Sequence, residues 1–145
     1  MSGSELDIFV GQWTVTARFP GDVPAGGAAA RSVFEWVLDG RYLVQRTEIS
    51  IPEAPDSMAV VAAAADGRSY TQHYFDSRGV TRLYAMTFAG GVWTLTRESA
   101  DFSPLDFAQQ FTGTFSADGD HIDGSWEKRM PGGAWELDFD LTYTR

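Results

Sequence analysis

From residue 31 onward, turn signals recur roughly every ten to thirteen residues along this chain. They are Asp39-Gly40, residues 52–56, Asp66-Gly67, Ser77-Arg78-Gly79, Gly90-Gly91, residues 100–105, Asp118-Gly119 and residues 131–133. The segments between them are short and rich in β-branched and aromatic residues, as strands require. Tight loops join only neighbouring antiparallel strands, so the spacing predicts an antiparallel meander of ten strands. A single sheet of that size curls, and closure removes edges that would otherwise template aggregation. The expected architecture is therefore all-β, a closed up-and-down barrel forming one domain over residues 1–145. Beyond about eight strands the interior is wider than its side chains fill, which leaves room for a cavity.

The start of the chain fits this plan. Residues 4–10 read as a short helical turn capped by Ser4, with Leu6, Phe9 and Val10 on its apolar side. Residues 11–19 then alternate, placing Trp13, Val15, Ala17 and Phe19 on one face. Residues 20–30 hold two prolines and several glycines and read as a flexible connection suited to a lid or portal.

The turns also fix register, because a loop of known length sets which residues face each other. Asp39-Gly40 pairs Trp36 with Leu43 and Phe34 with Gln45. Asp66-Gly67 pairs Ala63 with Tyr70 and Val61 with Gln72. The loop 77–79 sets Gln72 against Tyr84 and Tyr70 against Met86. Gly90-Gly91 sets Phe88 against Trp93, Met86 against Leu95 and Tyr84 against Arg97. Asp118-Gly119 pairs Phe115 with Ile122 and Phe111 with Trp126. In the last strand Trp135, Leu137, Phe139, Leu141 and Tyr143 share one face.

One face thus collects a large aromatic and aliphatic set, and Gln45, Gln72 and Gln109 share its parity, with Arg97 beside Tyr84. Inward polar groups must find partners, since an unsatisfied buried amide costs about 1–3 kcal/mol. One reading has them bond to one another and to trapped water. The other makes them the few convergent polar groups of an apolar pocket, with Arg97 and Tyr84 holding a carboxylate. The candidate ligand-binding residues on this second reading are Gln45, Tyr70, Gln72, Tyr84 and Met86 on the earlier strands. Trp93, Arg97, Gln109, Phe111 and Trp126 complete the set.

Gly11-Gln12-Trp13 resembles the Gly-x-Trp signature of the calycin barrels, the lipocalins and their relatives, and Arg145 is similar in placement to the arginine that packs over that tryptophan. Phe34-Glu35-Trp36, the run from Asp39 to Arg46, the run from Tyr70 to Val80 and Gly113-Thr114-Phe115 together look like an uncharacterised bacterial family of lipocalin-like barrels. The resemblance covers nearly the whole chain. It implies a calycin barrel and, by analogy, binding of a small lipophilic molecule. It brings no established catalytic residues.

Haem is a competing expectation, because nitrobindin-type barrels of the same wider group hold haem through one axial histidine. His73 is the candidate here. Against it, the chain lacks the repeated glycines of the nitrobindin start, and the register places His73 with Thr71, Leu83 and Ala85 on the face opposite Gln72. His121 lies beside a turn, where solvent reaches it. A third expectation is a cofactor-free cyclase or isomerase that folds a flexible substrate in the cavity, Tyr84 and Arg97 polarising a carbonyl.

Other chemistry finds little support. The chain has no cysteine, which removes thiolate nucleophiles and thiolate metal sites. It has no Gly-x-Ser-x-Gly elbow, phosphate loop or dinucleotide fingerprint. Asp118, Asp120 and Asp123 suit a hairpin better than a calcium loop, because Ile122 stands where an oxygen ligand is needed. Residues 101–106 read as an aromatic loop plugging a barrel end, and Tyr74 with Arg82 as an external cation–π pair. A net charge of −9 repels phosphate backbones and anionic lipid, so neither nucleic acid nor membrane is an expected partner. The first ten residues carry Glu5 and Asp7 and no basic start, so they do not read as a signal peptide, no apolar run is long enough to span a bilayer, and cytoplasmic residence is the default expectation. The sequence-level reading is a ten-stranded calycin-like barrel that binds a small lipophilic or amphipathic ligand, with no cofactor, metal or chemistry assigned.

Overall fold

The computed structural model describes residues 4–20, 30–49 and 55–145. A 3-10 turn at Glu5–Phe9 precedes ten strands: β1 (Gly11–Arg18), β2 (Ala30–Val37), β3 (Tyr42–Ile49), β4 (Ser57–Ala63), β5 (Tyr70–Asp76), β6 (Thr81–Ala89), β7 (Val92–Arg97), β8 (Ala108–Phe115), β9 (His121–Arg129) and β10 (Glu136–Thr144). Every strand pairs antiparallel with its sequence neighbours, and β1 with β10 closes the barrel. No helix among the described residues is long and apolar enough to cross a membrane. The proposed portal lies in residues 20–30, of which 21–29 fall outside the described residues.

The turn-derived register holds along the barrel. Trp36 faces Leu43, Gln72 faces Tyr84, Met86 faces Leu95 and Phe111 faces Trp126. Gly90 and Gly91 take φ of 58° and 77°, the pair of positive values that a two-residue hairpin with native twist demands. The β6–β7 ladder runs from Ala89↔Val92 to Ala85↔Thr96, so Tyr84 and Arg97 stand just past its end.

Four expectations need correction. The last strand does not alternate throughout: Leu137 pairs with Glu127 and Phe139 with Trp126, so Asp138 is the extra residue of a bulge. Upstream of it the faces switch. Leu137 is 44% exposed, and Trp135 lies ahead of the strand with the Arg129 guanidinium over its ring at 4.8 Å. Val10 is exposed, since the chain leaves the 3-10 turn for β1 there, whereas Leu6 and Phe9 are buried. Tyr74 faces inward, sharing the parity of Gln72, and Arg82 lies opposite it on the same face. Phe102 plugs nothing. It is 68% exposed and lies against His73 on the outer surface, with ring centres 6.3 Å apart.

One end of the barrel is filled by the 3-10 turn. Ser4 caps it by accepting from the Leu6 amide at 3.1 Å, and Phe9 inserts among Phe34, Phe88, Trp93 and Phe115 with ring centres 5.0 to 5.3 Å away. Three aromatic polar tips tie the turn down. Trp13 Nε1 donates to the Phe9 carbonyl at 2.9 Å, Trp36 Nε1 to Asp7 at 2.8 Å, and the Tyr70 hydroxyl to Glu5. Beneath them Arg145 spreads its guanidinium over the Trp13 ring at 4.0 Å and donates to the carbonyls of Ile8, Val10 and Gly119. This end is closed by packing, which leaves any internal space at the other.

Candidate ligand-binding cavity

A cavity of about 570 Å³ occupies the opposite half of the barrel. Its position follows from side-chain size. The filled end holds Phe9 and its ring neighbours, while toward the other end the inward positions include Ala17, Ala30, Ser57 and Ala59. The mouth is framed by Phe19, Ile49, Pro55, Arg78 and Phe139, and the rings of Phe19 and Phe139 lie 5.1 Å apart.

Five of the ten expected ligand-binding residues line this space: Gln45, Gln72, Trp93, Phe111 and Trp126. The other five do not. Tyr70 anchors the 3-10 turn through Glu5, and its hydroxyl is pushed up to about 12, by burial first and the Glu5 carboxylate second. Met86 is 1% exposed in the core. Tyr84 stands one layer behind the wall, edge-on to Trp126 at 5.6 Å, and donates to Gln109 Oε1 at 3.1 Å, which occupies both residues.

Arg97 is the sharpest departure. Its Nε and Nη2 each donate to Asp101 at 2.9 Å, and Nη2 also donates to the carbonyls of Ser103 and Pro104. The side chain is 3% exposed. Asp101 in turn accepts from the Leu83 and Ser103 amides. The Arg97 fork holds the Asp101 carboxyl well below the usual carboxylate range despite its burial. Arg97 therefore pins the loop between β7 and β8 and does not face the cavity. A carboxylate cradle or carbonyl-polarising pair built on Tyr84 and Arg97 is not assembled.

Three lining groups were missed by sequence reasoning. Tyr143 is buried beside Gln45, whose Nε2 donates to Ser32 Oγ at 2.9 Å and to the Tyr143 hydroxyl at 3.4 Å. Burial pushes that hydroxyl up to about 12, offset in part by the Gln45 bond. Tyr74 donates to Asp76 at 2.9 Å, and Arg78 forks onto the same Asp76 oxygen at 2.7 and 3.2 Å. Burial alone would raise the Asp76 carboxyl, but bonds from Arg78, Tyr74 and two backbone amides outweigh it and hold it at about 2. Parity with Gln72 was a signal for Tyr74, whereas nothing in the turn pattern shows that Arg78 folds back over the mouth.

Among the described residues, Gln72 Oε1, Arg82 Nε and Trp93 Nε1 are buried with no hydrogen-bond partner in the protein. Neither histidine lines the cavity. His73 points outward, parallel to Phe75, and His121 is exposed at its turn. An axial haem ligand inside the barrel is therefore not supplied by His73.

No family model and no curated protein matches the chain. Among solved structures it is similar to the crystal structure of Rv2717c from M. tuberculosis, with a TM-score of 0.64, 18% identity, and coverage of 97% of this chain and 94% of that one. At that identity the likeness shows the barrel fold.

Proposed function

We propose that the chain is a lipocalin-like container that binds a small lipophilic or amphipathic molecule in the barrel cavity. The observation that carries this reading is the cavity itself, about 570 Å³ with mostly apolar walls and an opening at one end. Ligand pockets for drug-sized molecules span about 300–1,000 Å³ and combine such walls with a few placed polar groups. Burial of ligand surface against Trp93, Phe111 and Trp126 supplies affinity at about 25 cal/mol per Å² before the costs of association. The net charge of −9 favours a small-molecule partner over a polyanion.

Titration with N-phenyl-1-naphthylamine, a neutral probe whose fluorescence rises in apolar surroundings, tests the reading. Saturable enhancement at one probe per chain is expected, together with a rise in melting temperature. Absence of both at saturating probe would overturn it.

A further inference from the structure

Among the described residues, the one charged side chain that lines the cavity stands at its mouth. Arg78 lies in the loop between β5 and β6 and is fixed there by Asp76, which accepts from its Nε at 3.2 Å and its Nη2 at 2.7 Å. The Asp76 carboxylate is saturated. Its side chain is 0% exposed and also accepts from the Tyr74 hydroxyl and from the Arg78 and Val80 amides. The guanidinium keeps capacity to donate, because it carries five N–H groups, Nη1 makes no bond among the described residues, and 56% of the side chain is exposed. Asp76 thus orients Arg78 and leaves donors free at the opening.

The same hairpin carries a second cation. Arg82, the second residue of β6, faces inward opposite Tyr74, and its Nε is buried without a partner. Burial raises the Tyr84 phenol, and the Arg82 guanidinium beside it is the largest influence acting the other way. Toward this end of the barrel Arg97, Lys128 and Arg129 are each ion-paired, whereas Arg82 forms no ion pair among the described residues. With Arg78 and Arg82 set against Asp76 alone, the hairpin keeps positive charge in a chain whose net charge is −9. Asp56, between the cavity-lining residues Pro55 and Ser57, turns its carboxylate onto the Ile49 amide at 3.0 Å. Deeper in, Gln45, Gln72 and Tyr143 are uncharged at neutral pH and stand with Trp93, Phe111 and Trp126. A carboxylate buried among them would have no cation to offset its desolvation.

Resting on the container reading, we infer that the ligand is an amphipathic carboxylate that enters tail first, its head at the mouth on the Arg78 guanidinium in the field of Arg82, and its apolar body against Trp93, Phe111 and Trp126. The head stays partly in water, so it gains charge-assisted hydrogen bonds without the cost of full burial.

The test is displacement of N-phenyl-1-naphthylamine at pH 7 by decanoate, 1-decanol and decyltrimethylammonium, which share one tail and differ in head charge. Decanoate is expected to compete about fivefold more tightly than decanol, with the ammonium weakest, as suits a charge-assisted bond at a half-exposed site. Raising the ionic strength from about 0.02 M to about 0.5 M should narrow the gap. Arg78→Gln is expected to bring decanoate to the level of decanol while leaving decanol unchanged, and Arg82→Gln to narrow the gap by a smaller factor. Decanoate no tighter than decanol in the unsubstituted protein overturns the inference, and that comparison holds even where a variant fails to fold. So does a gap left intact by either substitution in folded protein. If the probe binds and none of the three displaces it, or decanol alone does, the anionic head is wrong but the container stands. If no probe binds, both readings fall together.

Discussion

Arg97 and Asp101, four residues apart in sequence, meet through two parallel hydrogen bonds of 2.9 Å at the rim of the barrel. Both side chains are largely out of solvent, 3% and 10% exposed. Breaking one member of such a pair leaves the other charge buried, which costs about 3 kcal/mol or more. Arg97→Met and Asp101→Asn are each expected to lower the urea midpoint accordingly, with the double variant losing less than the sum. Probe affinity should change little. An Arg97→Met protein of full stability that rejects only carboxylate ligands would place Arg97 in the site instead.

The same carboxylates set the acid limit of the fold. Asp76 sits at about 2 against an ordinary 3.8, and Asp101 is also depressed. A depressed pKa contributes stability above the unfolded-state value that is lost as pH falls through the folded-state one. Urea midpoints should therefore be insensitive to these groups near neutrality and drop between about pH 4 and pH 2. Asp76→Asn is expected to be less stable at pH 7 and to show a shallower acid decline. On the alkaline side Tyr70 and Tyr143 are raised to about 12. Their contribution is present below pH 10 and falls as pH rises toward 12, which absorbance of the phenolates at high pH can follow.

Register was legible in the sequence because the turns are short and their glycines take the required conformations, so parity could be counted from each loop. Parity says inward or outward, but not how far along the barrel a residue sits. Tyr70 and Met86 face inward as expected, yet belong to the half filled around Phe9, and it takes the packing of the 3-10 turn to show that. The bulge at Asp138 was also hidden. Leu137-Asp138-Phe139 alternates as well as any strand, and only its pairing with Glu127 and Trp126 reveals the extra residue. The partner of Arg97 was hidden for a related reason, since Asp101 lies in a loop whose path no periodicity describes.

Arg145 and Trp13 join the two ends of the strand order at the filled end. Arg145 combines a cation–π contact at 4.0 Å with bonds of 2.9, 2.9 and 3.0 Å to three carbonyls. Arg145→Met is expected to cost about 2 kcal/mol in chemical denaturation. Arg145→Lys should recover little, because an ammonium cannot stack on the indole and reach three diverging acceptors together. Full rescue by lysine would reduce the role to charge alone.

Two glycines with ordinary backbone angles make room for a wall of the cavity. A Cβ on Gly124 would lie 2.6 Å from the Phe111 ring and 3.0 Å from the Leu141 carbonyl oxygen, and one on Gly113 about 2.9 Å from the same ring. Phe111 is itself held between Trp93 and Trp126, at 4.8 and 5.2 Å. Gly124→Ala is expected to destabilise by about 2 kcal/mol as the ring is displaced, and to weaken probe binding. Gly113→Ala should do less of both, its contact being looser. Equal, negligible effects would mean that Phe111 has free space to retreat into.

Filling the cavity separates its role from that of the surrounding core. Ala59 lies on the inner face between Gln45 and Tyr74 and is 4% exposed, so a large side chain there has the cavity to enter without displacing another ring. Ala59→Trp is expected to abolish enhancement of N-phenyl-1-naphthylamine while changing the melting temperature by only a few degrees, because the lost ligand space becomes buried apolar contact. Ala85 provides the control. It is exposed on the outer face of β6, and Ala85→Trp should leave the titration as it was. A probe that binds Ala59→Trp undiminished is bound somewhere other than the barrel interior.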